Sequence, residues 1–107
     1  MLKIKPGVRI AGVRAELALA AAVADSVFAA HGLDCVITSA VEGRHGRGSF
    51  HFNGLAMDLR RRDANEANNT EAIDSDLKDA LGQDFDVVLE RNHWHIEFQP
   101  KTGVNLF

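Results

Sequence analysis

The stretch from Ser49 to Asp58, Ser-Phe-His-Phe-Asn-Gly-Leu-Ala-Met-Asp, limits what this chain can fold into more than any other part of it. Asn53-Gly54 divides two short runs that alternate apolar and polar residues. It is a strong hairpin signal, because both residues tolerate positive φ. A two-residue turn there sets Phe52 against Leu55, His51 against Ala56 and Phe50 against Met57. With a side-chain period of two, Phe50, Phe52, Leu55, Met57 and Leu59 share one face, and Ser49, His51, Ala56 and Asp58 share the other. His51 and Asp58 then become diagonal neighbours, about 7–8 Å apart at the backbone, on the polar face. From that separation a histidine and a carboxylate can converge on one metal ion.

A second hairpin is written in Phe85-Asp-Val-Val-Leu-Glu-Arg-Asn-His-Trp-His-Ile-Glu-Phe. A turn at Arg91-Asn92 makes Glu90 face His93 and Val88 face His95. On the second arm His93, His95 and Glu97 lie on one side, and Trp94, Ile96 and Phe98 on the other, which joins the core. Glu90, His93 and His95 are thereby gathered on the side a site would use.

The remaining elements supply the rest of one α+β domain spanning residues 1–107, a small antiparallel sheet with helices packed on one face. From Arg14 to Ala30, Leu17, Ala20, Ala21, Ala24, Val27 and Phe28 recur at helical spacing, and His31-Gly32 ends the helix. This segment is alanine-rich, but Glu16 and Asp25 and its short length argue against a membrane span. Val8 to Arg14 reads either as a strand or as an irregular lead-in. Cys35-Val-Ile-Thr-Ser reads as a buried strand, with Cys35 a small core residue. Glu42 to Ser49 holds three glycines among polar residues and reads as a loop beside His51. The run Arg60-Arg-Arg reads as a solvated strand end, and Thr70 to Gly82 as a second helix with Ile73, Leu77, Ala80 and Leu81 inward. The formal charge of −3 gives no electrostatic reason to expect a nucleic-acid partner. The first residues, Met1 to Gly7, lack the apolar core of a signal peptide, so the expectation is a soluble protein without an export signal of its own.

Histidines and carboxylates on two hairpins are the nitrogen and oxygen ligands that zinc prefers, and three of them with one open position make a catalytic rather than a structural site. Zinc lowers the pKa of a bound water to about 7, and a nearby carboxylate can take its proton as it attacks a carbonyl.

The motif Ser49-Phe-His51-Phe-Asn-Gly54-Leu-Ala56-Met-Asp58, followed by His93-Trp-His95, resembles the zinc D-alanyl-D-alanine carboxypeptidases and L-alanyl-D-glutamate endopeptidases, which share the hedgehog-type fold. The resemblance runs from about Thr38 to Phe98 and implies zinc held by His51, Asp58 and His95, with His93 assisting near the substrate. It implies cleavage of an amide bond in peptidoglycan stem peptides. It also implies an arginine that stabilises the oxyanion or holds the substrate carboxylate, for which Arg44 and Arg47 are the candidates and His45 an alternative. Ser49 is a candidate to hydrogen-bond a metal ligand. The family's catalytic carboxylate commonly lies three residues before the last ligand histidine, and Asn92 stands there in this chain. Glu90, across the hairpin from His93, is the candidate to take over its role.

The resemblance further implies a phage or prophage enzyme of the cell wall, made in the host cytoplasm or carried in the virion and acting on a peptidoglycan peptide. The acidic balance and weak hydropathy point to no nucleic-acid or membrane partner, and the sequence leaves the oligomeric state open, a monomer being one plausible state. Asn92 keeps a second reading open, a binding module that retains fold and metal without hydrolysis. A nucleic-acid enzyme of histidine-metal type is a third reading, disfavoured by the acidic balance.

Overall fold

A computed structural model describes residues 1–42 and 53–100. Among them the chain forms β1 (Leu2–Ile4), α1 (Ala15–Ala30), β2 (Cys35–Ser39), β3 (Ala56–Arg60), α2 (Arg62–Glu66), α3 (Thr70–Leu81), β4 (Phe85–Leu89) and β5 (His93–Phe98). The five strands make one sheet in the order β1-β2-β3-β5-β4. The fold class is α+β, but the sheet is mixed: β1 pairs parallel to β2, while the other three pairings are antiparallel. That corrects the expectation of an antiparallel sheet. Three exposed residues are too short a run to show a period, and β1 exists through its ladder to Cys35, Val36 and Ile37. Charge assists it, with Lys3 Nζ 2.8 Å and the Met1 ammonium 3.3 Å from Asp34. The parallel pairing needs a long crossover, and α1 supplies it.

The pleat decides which side faces the helices. Cys35, Ile37, Met57, Leu59, Trp94 and Ile96 pack with Leu17, Ala20, Ala21, Ala24, Val27 and Phe28 of α1, Ala64 of α2, and Ile73 and Leu77 of α3. All six inward positions expected on α1 are buried, and its alanines let the helix lie close to the sheet. Helix α3 begins and ends as its pattern predicts, with Gly82 at φ +81° as its stop, although Ala80 is exposed rather than inward. Val8 to Arg14 is an irregular lead-in. Helix α2 was not expected. Its polar sequence shows no apolar period, and it forms around the single buried Ala64. Cys35 is fully buried, and burial, with Asp25 adding to it, pushes its thiol up to about 12. That suits a core residue and not a reactive one.

Gly54 has two reasons to be glycine. Its φ is +75°, and a Cβ there would lie 2.1 Å from the Gly12 carbonyl oxygen. Arg14 N–H donates to the Gly54 carbonyl at 2.9 Å, so the turn before β3 is bonded to the lead-in of α1. Gly54→Ala is therefore expected to cost about 2–3 kcal/mol of folding stability, read as a lower urea midpoint with an unchanged slope. A midpoint within error of the parent's would show that this close approach does not constrain the fold.

Candidate functional site

The register across β3, β5 and β4 lays out the site. Asp58 pairs with His95, which pairs with Val88; Arg60 pairs with His93, and Ala56 with Glu97. Each of these residues points away from Leu59, Trp94 and Ile96, which face the core. The β4–β5 turn falls at Arg91-Asn92 as expected: Glu90 N–H donates to the His93 carbonyl at 2.8 Å, and Val88 lies opposite His95. Arg61 fastens this turn by donating to the Glu90 carbonyl at 2.7 Å, while its Nε donates to Asn65 Oδ1 at 2.9 Å.

His95 is held at both ring nitrogens by carboxylates. Nδ1 lies 3.0 Å from Asp58 Oδ1, and Nε2 lies 2.6 Å from Glu97 Oε1. Gln99 in turn donates to Glu97 Oε2. The Asp58 bond is the main cause that raises the His95 pKa to about 9; partial burial opposes it, and Glu97 adds to it. The imidazolium thus bridges two anions. Since its folded pKa lies above the ordinary 6.5, this bridge contributes stability that is fully present below about pH 6.5 and is lost as pH rises through about 9. The protein is expected to lose on the order of 2 kcal/mol between pH 6.5 and 9.5 from this source. Urea midpoints across that range should show the loss in the parent and a flatter profile in His95→Gln. Parallel profiles would sink the assignment.

His93 lies one residue pair further along. Its Nε2 is 3.5 Å from Glu90 Oε2 and 3.9 Å from Asp58 Oδ1, so this ring atom faces both carboxylates. Its Nδ1 lies 2.6 Å from Asn92 Oδ1. An amide oxygen only accepts, so Nδ1 carries the hydrogen and Nε2 is left for proton exchange. Asn92, at the position where the family pattern has a carboxylate, sets the tautomer of His93.

Of the residues singled out from the sequence, Asp58, Glu90, His93 and His95 come together on this face. His51, Arg44, Arg47, His45 and Ser49 lie outside the described residues. Among the described residues no group of three or more His, Cys, Asp or Glu side chains is arranged to hold a metal. The role of Glu97 was missed in the sequence. Strand parity put it beside His95, and only the conformations of both side chains show that it clamps the ring. Glu97 accepting from Nε2 leaves the Nδ1 lone pair for a metal shared with Asp58, the usual carboxylate–histidine–metal arrangement, so these two donors fit a zinc ion. Among the described residues no helix is long and apolar enough to cross a membrane. Comparisons with models of protein families, with curated proteins and with solved structures gave no match.

Proposed function

We propose that this chain is a zinc-dependent peptidase that hydrolyses an amide bond in peptidoglycan stem peptides, on a fold of the hedgehog and D-Ala-D-Ala peptidase type. The observation that carries the reading is His95, clamped by Glu97 at Nε2 and turned by it so that Nδ1 meets Asp58. Asp58 and His95 would hold the ion, with His51 as the third ligand. Zinc in that position supplies Lewis acidity toward a scissile carbonyl and acidifies water. The chain's own groups do the rest. Glu90 accepts a proton at its carboxylate, and His93, 3.5 Å away, passes one on through Nε2 or donates to the developing oxyanion. A phage or prophage origin and action on the cell wall from host cytoplasm or virion belong to the same reading.

A second reading, a binding module that does not hydrolyse, is favoured by Asn92, which occupies His93 where a base would stand, and by Glu90, whose side chain is 47% exposed at the hairpin end. Release of peptides from purified peptidoglycan, followed by mass spectrometry, separates the two. The zinc-loaded parent is expected to release them and a chelator to stop it, with Glu90→Gln slower by about 10²–10⁴-fold. Equal rates in the two proteins remove Glu90 as the base. No release by either supports the module.

A further inference from the structure

One row along the same sheet face from Asp58 lies a cavity of about 440 Å³ lined by Lys3, Lys5, Val36, Thr38, Arg60 and Arg62, with Ile4 and Pro6 at its side. Four cationic side chains bound one hollow in a chain whose formal charge is −3. They come from the edge strand β1 and the residue after it, and from the end of the central strand β3 and the start of α2. Lys3 pairs with Val36 across β1 and β2, and one step from the Ile37–Leu59 pair sets Val36 beside Arg60, whose own partner on β5 is His93. The row thus runs Lys3, Val36, Arg60, His93. Arg60 is two residues from Asp58 on one strand, about 7 Å along the same face.

The positive charge is only partly answered within the protein. Asp34 takes Lys3 at 2.8 Å, and Asp63 takes Arg60 Nη2 at 3.0 Å. Arg62 Nε is 4.0 Å from the other Asp63 oxygen, and Lys5 has no carboxylate within 4.0 Å among the described residues. Arg60 Nε is buried and makes no hydrogen bond among the described residues. Two carboxylates against four cations leave a net positive hollow, with guanidinium forks shaped for planar oxyanions.

We propose that this cavity is an oxyanion subsite, which takes a carboxylate or phosphate group of the ligand whose reacting bond lies at Asp58 and His95. The identity of that bond rests on the peptidase reading; the anion site itself does not. The subsite orients the ligand along β3 from Arg60 toward Asp58, and selects ligands with a negative group about 7 Å, the length of about two extended residues, from the reacting bond.

Amide-resolved NMR titrations of the full chain at fixed ionic strength test this, with inorganic phosphate, with N-acetyl-L-alanyl-D-glutamate and with its diamide as probes. The expected result is saturable shifts at residues 3–5, 36, 38 and 60–62 with phosphate and with the acid, none with the diamide, and weakening as salt is raised. Lys5→Gln combined with Arg62→Gln changes two exposed residues and should weaken binding about tenfold or more. Tighter binding of the acid than of phosphate assigns a peptide carboxylate, and the reverse order assigns a phosphate-bearing ligand. No saturation with either anion, equal shifts with acid and diamide, or an unchanged affinity in the double variant overturns the proposal. A parallel zinc titration keeps the two readings apart. Zinc bound with no anion response sinks the subsite alone, and an anion response without zinc sinks the peptidase reading alone.

Discussion

Trp94→Ala is expected to destabilise the protein by about 3–5 kcal/mol, the largest single effect on folding in this chain. Trp94 is fully buried, its ring meets Phe28 of α1 edge-on at 5.7 Å, and its Nε1–H donates to Asp74 Oδ1 of α3 at 3.0 Å. One side chain therefore ties β5 to both long helices. Truncation leaves a cavity the alanines of α1 cannot fill and removes a donor from Asp74. Trp94→Phe keeps most of the packing and loses only the hydrogen bond, so its cost should be about 1–2 kcal/mol. Urea unfolding of both variants measures the two parts. The consequence reaches function because Trp94 sits between His93 and His95 with its ring on the opposite face. A strand freed to tilt no longer holds His95 against Asp58, so Trp94→Ala should also bind zinc less tightly at temperatures where it remains folded. A Trp94→Ala protein as stable as Trp94→Phe would show that the ring contact does not anchor β5.

Calorimetric titration of the chelator-stripped chain is expected to find one zinc per molecule, with His95→Ala, Asp58→Ala or His51→Ala each lowering affinity by about 100-fold or more. Glu97 provides the sharper test. Replacing it by Leu removes the acceptor that fixes the His95 ring and should cost about 10–100-fold; Glu97→Gln, which still accepts at Oε1, should lie near the lower end. Because His95 carries a proton in the metal-free chain, its pKa raised to about 9 chiefly by Asp58, zinc binding near pH 7 should release about one proton from this ring. Titration in buffers of different ionisation enthalpy reads that number. Stoichiometric zinc retained by both His51→Ala and His95→Ala would show the ligand assignment to be wrong.

Much of this architecture follows from periodicity. The apolar positions of α1, the turn at Arg91-Asn92, and the division of β5 into Trp94 and Ile96 against His93, His95 and Glu97 are local patterns, and they hold because a helix or strand repeats its side-chain directions whatever it packs on. Strand β1 and helix α2 carry no such pattern. One is three exposed residues held by a ladder to β2, the other a polar turn around Ala64.

The candidate site divides in the same way. The sequence by itself set Asp58, Glu90, His93 and His95 on one side of their strands and gave Gly54 its positive φ, because pleat and turn chemistry are short-range. It did not show that Glu97 grips Nε2 of His95, that Gly54 rests against the Gly12 carbonyl, or that Lys3 and Lys5 share a cavity with Arg60 and Arg62. The three arginines, read as one solvated run, part company at the end of β3. Arg61 ties down the Glu90 turn, while Arg60 and Arg62 line the cavity. The Gly54, Arg61 and lysine–arginine contacts were decided by strand order and by where the lead-in to α1 meets the turn before β3, contacts between residues far apart in sequence that local periodicity does not encode. The Glu97 grip, two residues along the same strand, was decided by the side-chain conformations of Glu97 and His95.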